Sequence, residues 1–317
     1  MAVDSNESGE KSDVPQCAAS LVASGGERQP KPPWIRVSQP WGESYDRLKK
    51  LMRSKALNTV CEHALCPNLA ECWRRGAATF MILGDACTRN CAFCAVKKAS
   101  PGIALPPPDS REAERLIEAA SAMQLRHVVI TSVTRDDLPD GGASLFAACI
   151  RLLREQRPAC TVEVLIPDFQ GNWNALEAVL DAGPDVLGHN VETVPRLYGR
   201  VRHQAQYERS LELLRTARKI RPNVLTKSGV MAGLGENWDD LLETFDDLRA
   251  VECDILTIGQ YLRPGKQSLP VRRYYTPDEF CALRKVALEK EFAWVESGPF
   301  VRSSYHAEAQ ARELRRR

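Results

Sequence analysis

The sequence has no long apolar run and no marked excess of charge of either sign. No apolar stretch approaches the roughly 20 residues that a membrane-spanning helix needs. With 43 Lys and Arg against 41 Asp and Glu, the formal net charge is +2. So small a charge gives no electrostatic case for a nucleic-acid partner. The sequence therefore predicts a protein that uses neither a membrane nor a nucleic acid as its partner.

The N-terminal residues also lack the features of a targeting segment. MAVDSNESGEKSDVPQ has neither the apolar core of a secretory signal nor the Arg-rich amphipathic pattern of an organelle transit peptide. We therefore expect a cytoplasmic location, where thiols stay reduced. Residues 1–33 are rich in Ser, Glu, Gly and Pro and have few large apolar side chains. This composition predicts a disordered tail, because too little surface can be buried to offset the entropy of ordering.

Paired CxxC motifs are missing too, although the chain has eleven cysteines. Closed zinc sites commonly take four ligands from two such pairs, and an odd number of cysteines in a chain of 317 residues does not suit a disulfide framework. Six cysteines instead form two triplets: Cys61, Cys66 and Cys72, then Cys87, Cys91 and Cys94. Metal or redox chemistry is the better interpretation of these six. The other five are predicted to be packing or surface residues: Cys17, Cys149, Cys160, Cys253 and Cys281.

Short apolar runs alternate with amphipathic stretches from about residue 79 onward. Near-continuous apolar runs are typical of parallel strands covered on both faces. The predicted strands are TFMIL (79–83), HVVITS (127–132), TVEVLI (161–166), DVLGHN (185–190), NVLTKSGVM (223–231) and DILTIGQ (254–260). Apolar spacing predicts helices in 109–124 and 238–250, and TPDE (276–279) predicts a helix start with a capping box. One more strand is predicted at FAWVE (292–296), and the final ARELRRR is predicted to be a solvated basic tail.

This alternation predicts the α/β class and right-handed βαβ units. Six repeats fit a partial (β/α)6 barrel of the TIM type, which we place at 77–298. A doubly wound sheet is the alternative, but no GxGxxG follows the first strand. An N-terminal extension (34–76) carries the first cysteine triplet, and a C-terminal extension (299–317) follows the barrel. The second triplet comes directly after the first strand, so we expect it at the barrel mouth, where such folds carry their chemistry.

The second triplet, spaced Cx3Cx2C, supplies three thiolates within eight residues. Three thiolates on a 4Fe–4S cluster leave one iron without a protein ligand, and that iron can take an external chelate. CTRNCAFC (87–94) resembles the CxxxCxxC signature of radical S-adenosylmethionine (SAM) enzymes, including Phe93 before the last cysteine. The resemblance implies a partial barrel of the radical SAM type. It also implies a cluster that binds the amino and carboxylate groups of SAM and cleaves it to methionine and a 5′-deoxyadenosyl radical.

Further motifs narrow the resemblance to the lipoyl synthase family. Eight blocks between about residues 60 and 307 are similar to that family in sequence and order: CPNLAECW, ATFMILGD, TSVTRDDLPDGGA, VEVLIPDF, HNVETVPRLY, KSGVMAGLGE, QYLRP and VRSSYHA. The family's auxiliary-cluster motif corresponds to Cys61, Cys66 and Cys72. Its fourth ligand is the second serine of an Arg-Ser-Ser-Tyr motif, which is Ser304 here. The resemblance thus implies two 4Fe–4S clusters, and it requires the C-terminal extension to return to the N-terminal one.

A serine ligand has a physical rationale. Alkoxide oxygen is harder than thiolate and suits a sulfide-rich iron site less well. A cluster with one oxygen ligand should therefore give up that iron more easily, which is useful if the cluster is consumed as the sulfur source. The alternative is that the serines only hydrogen-bond a turn.

The activity that the resemblance implies is the insertion of two sulfur atoms at carbons six and eight of a protein-bound octanoyl group. Two SAM molecules and a sacrificial auxiliary cluster are consumed, and the product is protein N6-lipoyl-lysine. Such C–H bonds have no acidic proton, so a cofactor-derived radical must break them. The implied partners are octanoylated lipoyl carrier domains (2-oxoacid dehydrogenase acyltransferase subunits and the glycine cleavage H protein), a low-potential electron donor and an iron–sulfur cluster carrier.

Polar residues at the predicted strand ends are the candidates for binding SAM. They are Asp140, Gly141, Gly142, Asn190, Glu192, Lys227 and Arg263. Two alternatives stay open, because the glycine pair can simply form a turn and Glu192 with Lys227 can form a structural ion pair. None of the five histidines is expected to be a ligand. In one departure from the family pattern, Ser268 stands where the family often has a histidine.

Two other functions are compatible with parts of this pattern. A different radical SAM enzyme, such as a methylthiotransferase or a biotin-synthase-like protein, would hold no second 4Fe–4S cluster in the first triplet. A non-catalytic electron carrier or zinc scaffold is the third hypothesis, and the predicted position of the second triplet at the barrel mouth disfavours it.

Overall fold

The structure, a computed structural model, describes residues 30–36, 43–74 and 77–314. One sheet contains the strands β1 (Asn58–Thr59), β2 (Thr79–Ile82), β5 (His127–Ser132), β6 (Thr161–Leu165), β7 (Val186–Gly188), β8 (Leu225–Ala232), β9 (Ile255–Gln260) and β10 (Trp294–Gly298). A separate ribbon pairs β3 (Ala86–Cys87) with β4 (Lys97–Lys98). Most of the predicted disordered tail, residues 1–33, lies outside the described ranges.

Eleven α-helices connect and flank these strands in the described part of the chain. They are α1 (Glu43–Ser54), α2 (Val60–His63), α3 (Leu69–Arg74), α4 (Glu112–Ala122), α5 (Ala143–Gln156), α6 (Trp173–Asp181), α7 (Tyr198–Val201), α8 (Tyr207–Ile220), α9 (Trp238–Ala250), α10 (Pro277–Glu289) and α11 (Ala307–Leu314). Short 3-10 turns cover Phe169–Gly171 and Pro195–Leu197. No helix in the described ranges is both long and apolar enough to cross a bilayer.

The strands of the large sheet follow one another in chain order. The order is β1-β2-β5-β6-β7-β8-β9-β10, and every neighbouring pair is parallel except β1 with β2. A doubly wound sheet would reverse its strand order at a switch point, so this alternative is wrong. All six predicted core strands are present, and β10 is the additional strand predicted near 292. No ladder joins the β1 edge to the β10 edge within the residues described, as expected of a partial barrel.

Local sequence signals account for the start of α10. At α10, the Thr276 hydroxyl accepts a hydrogen bond from the Glu279 amide, and the Glu279 carboxylate accepts one from the Thr276 amide. Pro277 occupies the first helical position, where its missing N–H costs nothing. The predicted capping box is confirmed. Helix α9 spans the predicted 238–250, and α4 lies within the predicted 109–124.

The C-terminal helix α11 closes the barrel at the amino ends of the strands. Ala311 is only 1% exposed and packs with Val186 and Ile255, the first residues of β7 and β9. Leu314 packs against the same cluster. The predicted solvated tail is therefore wrong as far as residue 314, because this short helix has an apolar face at helical spacing. The terminal arginines at 315–317 lie outside the described residues.

The boundaries predicted for the extensions and the barrel stay predictions. Strand β1 lies within the predicted N-terminal extension, yet it pairs with β2 of the barrel, with Asn58 opposite Met81. Through this pairing, the N-terminal extension is continuous with the large sheet.

Candidate functional site

A cavity of about 490 Å³ lies inside the barrel between the two cysteine triplets. Alternate residues of five strands line it, as expected where one face of each strand points inward: Thr79, Met81, Val129, Thr131, Glu163, Leu165, Gly229, Met231, Thr257 and Gly259. Cys61 and Cys66 of the first triplet, Cys94 of the second and Ser304 also border the cavity. The sheet therefore brings together side chains from both triplets and from the C-terminal extension.

The second triplet lies on the loop that the β3–β4 ribbon closes. Cys87 ends β3, and the Cys94 amide donates a hydrogen bond to the Cys91 carbonyl, 3.2 Å away. The three thiols interact electrostatically with one another. Burial raises the pKa of the Cys91 thiol, and the nearby Arg202 partly offsets this. Burial likewise raises the pKa of Cys94, and Lys98 opposes that shift. The position predicted for this triplet, on the loop after the first parallel strand, is confirmed.

The first triplet lies on α2, the following loop and α3. The Cys66 amide donates to the Cys61 carbonyl at 3.1 Å, which turns the chain so that the two thiols approach each other. Burial raises the pKa of Cys61 to about 11 and also raises that of Cys66. Cys72 packs in the same cluster as Cys61. Burial alone thus disfavours the thiolate form of these cysteines, and a bound metal would favour it.

The C-terminal extension returns to this triplet, as the Ser304 assignment requires. The side-chain Nδ2 of Asn68 donates a hydrogen bond to the Phe300 backbone carbonyl at 2.6 Å. The Thr79 hydroxyl donates to the Ser304 hydroxyl at 2.8 Å, and the Thr79 backbone hydrogen-bonds the Cys61 thiol. Ser304 and Cys61 therefore share Thr79 as a neighbour.

The two serines of the Arg-Ser-Ser-Tyr motif bond to other elements of the fold. The Ser303 hydroxyl accepts a hydrogen bond from Asn190 Nδ2 at 2.6 Å, and the same Nδ2 donates to Glu192 Oε1 at 3.1 Å. Both serine hydroxyls thus contact side chains far away in the sequence. The alternative, that these hydroxyls serve only their own turn, is wrong.

Three of the seven candidate SAM contacts line the cavity: Asn190, Glu192 and Arg263. Asn190 Oδ1 is buried and has no hydrogen-bond partner. The Arg263 guanidinium donates to the backbone carbonyls of Gly265 and Ser268, at 2.9 and 2.8 Å. Part of its hydrogen-bonding capacity is therefore spent on its own loop.

Asp140, Gly141 and Gly142 form the turn that begins α5. The Asp140 carboxylate accepts hydrogen bonds from the Gly142 and Ser144 amides, at 2.9 and 2.8 Å. Gly142 has φ +90°, and a Cβ there would lie 2.2 Å from Leu83 Cδ1. This geometry agrees with the turn alternative for the glycine pair, and none of the three residues lines the cavity.

Lys227 forms its ion pair with a residue that the sequence did not single out. Its Nζ lies 2.9 Å from Glu163 Oε1, and the two side chains are 1% and 2% exposed. The alternative in which Lys227 pairs with Glu192 is wrong, because Lys227 pairs with Glu163 and Glu192 is hydrogen-bonded by Asn190. His127 Nε2 lies 3.5 Å from Glu163 Oε2. The one sequence signal for Glu163 is an acidic residue inside the apolar run TVEVLI.

Arg302 and Arg202 are two further charged residues near the triplets, and neither was among the predicted site residues. Arg302 lies within electrostatic reach of both Cys66 and Glu192. Arg202 donates to the backbone carbonyl of Asn190 at 2.8 Å and interacts with Cys91. Arg302 belongs to the Arg-Ser-Ser-Tyr motif, but its contacts, like those of Arg202, depend on how distant segments fold against each other.

The other described cysteines and the histidines do not line the cavity. Cys149, Cys160 and Cys253 are buried in the core, as predicted, whereas Cys17 lies outside the described residues. None of the five histidines lines the cavity. His189, for example, contacts the Ile166 carbonyl at 2.9 Å and the Ser210 hydroxyl at 3.0 Å, and burial lowers its pKa to about 4.

The donor chemistry of the two triplets suits iron–sulfur clusters. Each triplet supplies three cysteine sulfurs, and none of the six forms a disulfide bond. Cysteine thiolates are the usual protein ligands of 4Fe–4S clusters. The residues present therefore fit iron–sulfur groups.

Comparisons with known proteins identify the family. A family model for the Radical SAM superfamily matches residues 81–248, and one for the N-terminal domain of lipoyl synthase of the Radical SAM family matches residues 3–66. The lipoyl synthase of Symbiobacterium thermophilum is 56% identical over 282 residues, which cover 89% of this chain and 87% of the relative. That of Rubrobacter xylanophilus is 54% identical over 289 residues, which cover 91% and 89%.

Solved structures agree on the fold. Methylornithine synthase has a TM-score of 0.51 at 12% identity, covering 68% of this chain and 69% of its own. HydG, a maturase of the FeFe hydrogenase, has a TM-score of 0.54 at 12% identity, covering 73% and 58%. At this identity the likeness shows the fold alone, whereas the curated relatives show the specific family. The chain therefore belongs to the lipoyl synthase family of the radical SAM superfamily.

Proposed function

We propose that the two triplets hold two 4Fe–4S clusters and that the cavity between them holds the octanoyl chain. As a member of its family the chain is a radical SAM sulfurtransferase that makes lipoyl groups on carrier proteins, and it uses SAM and iron–sulfur chemistry. The single observation that supports the two-cluster arrangement is one cavity bordered by Cys61, Cys66, Cys94 and Ser304. An acyl chain in that cavity would face both cysteine groups.

The ligand sets follow from this arrangement. Cys87, Cys91 and Cys94 would hold the cluster that binds SAM, since three thiolates leave one iron open. Cys61, Cys66 and Cys72, with Ser304 as the fourth ligand, would hold the auxiliary cluster. The hydrogen bond from Thr79 to Ser304, together with the contact of Thr79 with Cys61, supports the serine assignment.

When bound at the two triplets, these groups would supply a SAM-derived radical and sulfide, which no amino-acid side chain can provide. The residues of the chain provide position and exclude water. Met81, Val129, Leu165 and Met231 form apolar walls of the cavity, which suit a hydrocarbon and orient its terminal carbons by packing. The mouth includes Leu65, a residue that is 64% exposed. A lysine-linked acyl arm of a carrier domain could enter past it.

Of the seven residues predicted to contact SAM, the proposed site includes Asn190 and Glu192, and Arg263 as a third residue that also bonds its own loop. The unpartnered Asn190 Oδ1 can accept a hydrogen bond from an ammonium or a ribose hydroxyl, since buried polar atoms normally have a partner. Glu192 lies near Cys91 and Cys94, where the amino group of SAM would approach the open iron. The proposed SAM site leaves out Asp140, Gly141 and Gly142, because they form the turn before α5. It also leaves out Lys227, because that residue is paired with Glu163.

We also propose specific partners for the reaction. The octanoylated substrates would be carrier domains of 2-oxoacid dehydrogenase acyltransferase subunits and the glycine cleavage H protein. A low-potential electron donor would reduce the SAM-binding cluster. An iron–sulfur carrier would rebuild the auxiliary cluster after each turnover, since its sulfide is consumed. The cytoplasmic location remains a prediction.

The test is iron counting with matched cluster variants. In one variant Cys61, Cys66 and Cys72 are all changed to Ala; in the other, Cys87, Cys91 and Cys94 are. We expect the first variant to lose about half of the iron, to retain SAM cleavage to 5′-deoxyadenosine, and to form no thiolated octanoyl peptide. The second should lose the other half together with SAM cleavage. Wild-type protein that reconstitutes with only four irons, or thiolated product from the first variant, would contradict the proposal.

A further inference from the structure

A buried arginine lies inside the loop that carries the second cysteine triplet. Arg89 stands between Cys87 and Cys91, yet it is only 4% exposed. Its Nε lies 2.7 Å from Asp136 Oδ2 and its Nη2 lies 2.9 Å from Asp136 Oδ1. The same Nη2 lies 2.5 Å from Asp168 Oδ1. One guanidinium therefore joins two carboxylates from different parts of the chain.

The two carboxylates are themselves held in place. Asp136 follows β5, and its amide donates to the Thr88 hydroxyl at 3.0 Å. Asp168 follows β6, is 0% exposed and accepts a hydrogen bond from the Gln170 amide at 3.1 Å. Burial opposes the charge on Asp168, but Arg89 outweighs it and lowers the pKa to about 2. The loop is thus fastened to the carboxyl ends of two neighbouring strands.

The backbone of Arg89 also reaches a sulfur atom. Its amide donates a hydrogen bond to Cys87 Sγ, 3.4 Å away. Hydrogen bonds to cluster sulfurs, together with nearby charge, are among the features by which a protein sets a cluster's reduction potential. The anchored side chain and the sulfur-bound amide belong to the same residue, so movement of the side chain would shift the amide.

We propose that Arg89 is a positioning residue that sets the reduction potential and the orientation of the SAM-binding cluster. It does so by clamping the loop to Asp136 and Asp168 and keeping its own amide on Cys87. This inference rests on the proposed assignment of that cluster to Cys87, Cys91 and Cys94. It adds a residue whose role comes from its contacts, since Arg89 is not itself a ligand.

The planar guanidinium of arginine suits this role, whereas the ammonium of lysine does not. A guanidinium can bond one carboxylate with two N–H groups and still reach a second carboxylate, whereas an ammonium is a point charge on a flexible stem. Arg89→Lys keeps the charge but loses the geometry. Arg89→Gln loses both the charge and the geometry and, within the described residues, it leaves Asp168 with only Arg209 as a cationic partner. The pair of variants therefore separates charge from clamping.

The experiment uses the full chain, reconstituted anaerobically with iron and sulfide. Arg89→Gln, Arg89→Lys and Asp136→Asn are compared with wild type. Arg209→Gln is the matched control, because it removes only the 3.5 Å pair of Arg209 with Asp168 and leaves the loop contacts in place. The first readout is the midpoint potential of the SAM-binding cluster, from a redox titration monitored by electron paramagnetic resonance. The second is the change in that spectrum on adding SAM. The third is the pair of kinetic constants, KM and kcat, for SAM cleavage. Iron in the auxiliary cluster serves as the internal reference.

We expect Arg89→Gln to shift the potential to more negative values, because a lost N–H···S bond and a lost positive charge both disfavour the reduced cluster. SAM cleavage should fall about 10- to 100-fold, mainly in kcat, while auxiliary iron stays at the wild-type level. Arg89→Lys should cleave SAM well below the wild-type rate. Asp136→Asn should shift the potential less than Arg89→Gln does, because the removal of a carboxylate charge opposes the effect of a loosened N–H···S bond. Arg209→Gln should match wild type in potential and in SAM cleavage.

Two results would overturn the inference. One is an unchanged potential and an unchanged SAM-dependent spectrum in both Arg89 variants, whatever their activity. The other is equal loss of both clusters in Arg89→Gln and Asp136→Asn, which would mean a general structural role. A wild-type protein that shows no SAM-dependent spectral change would instead contradict the proposed function itself, so the two failures are distinguishable.

Discussion

The hydroxyl of Thr79 donates a hydrogen bond to the hydroxyl of Ser304, with 2.8 Å between the oxygens, although the two residues are 225 positions apart in the chain. Thr79 is the first residue of β2, and Ser304 lies in the C-terminal extension. The Thr79 backbone also contacts the Cys61 thiol. One strand end therefore orients a serine and a cysteine that we propose as ligands of the same cluster.

Thr79→Val should weaken the hold on Ser304 while keeping the shape of the side chain. The lost hydrogen bond contributes about 1 kcal/mol, and an unoriented serine binds iron less well. We expect faster loss of auxiliary-cluster iron to a chelator and unchanged SAM cleavage. The control Thr79→Ser keeps the hydroxyl, and its auxiliary-cluster iron should be lost at the wild-type rate. Equal iron loss from Thr79→Val and wild type would show that Thr79 does not support the ligand.

The two adjacent serines should differ sharply when changed to alanine. Ser304→Ala should lower the iron content of the first triplet's cluster and abolish thiolated product, with SAM cleavage retained. Ser303→Ala should keep the iron, because Ser303 bonds Asn190 instead. If Asn190 contacts SAM, however, Ser303→Ala should raise the KM for SAM. Iron analysis paired with SAM-cleavage kinetics measures both, and the opposite iron pattern would assign the ligand to Ser303.

The Lys227–Glu163 pair should behave as a structural pair. Lys227→Met leaves Glu163 charged and buried without its partner, which should lower the free energy of unfolding by about 3–5 kcal/mol. The double variant Lys227→Met with Glu163→Leu should recover much of this loss, because no unpaired charge remains. Urea unfolding measures the stabilities. A large rise in the KM for SAM in the double variant, with stability restored, would return Lys227 to the set of SAM contacts.

A charge on the inner face of α11 should destabilise the closed end of the barrel. Ala311→Asp places a carboxylate against Val186 and Ile255, and we expect a loss of about 2–4 kcal/mol in the free energy of unfolding. Glu308→Ala on the outer face removes only an exposed pair with Arg126, 3.0 Å long, and should cost under about 1 kcal/mol. Thermal and urea unfolding of the two variants give the comparison. Equal stability would mean that α11 is not packed as described.

Asp140 should stabilise the start of α5 in a pH-dependent way. Burial alone would raise the pKa of Asp140, but hydrogen bonds from Ser144 and Gly142 outweigh it and lower the pKa below the ordinary value. Since the pKa is lowered in the folded state, the stabilisation is present above the ordinary pKa of about 4 and is lost as the pH falls through the folded value. Asp140→Ala should cost about 1 kcal/mol at pH 7 and less at low pH.

The control for Asp140 separates its structural role from a role in binding SAM. Asp140→Asn keeps an acceptor for the two amides, so it should retain part of the stability and leave the KM for SAM unchanged. A stability difference between Asp140→Ala and wild type that does not shrink between pH 7 and pH 3 would contradict the role assigned to the carboxylate.

Much of the barrel could be predicted because its signals are local. Each core strand is an apolar run of five to nine residues, and the α10 start is encoded in the four residues TPDE. The same holds for the second triplet, whose three thiols are spaced within eight residues of one loop. The tail prediction failed because ARELRRR contains four arginines, and the apolar face of α11 becomes visible only when the preceding Ala307 and Gln310 are included in the helix.

By itself, the sequence determined the core strands, the start of α10 and the two cysteine groups, since periodicity and spacing act between neighbours along the chain. Only the tertiary structure decided that Ser304 meets Thr79, that Lys227 pairs with Glu163, and that Arg89 joins Asp136 to Asp168. These contacts connect segments 47 to 225 residues apart, and no local pattern specifies which polar side chains will be buried together. Burial removes water as an alternative partner, so the folded barrel itself selects these pairs.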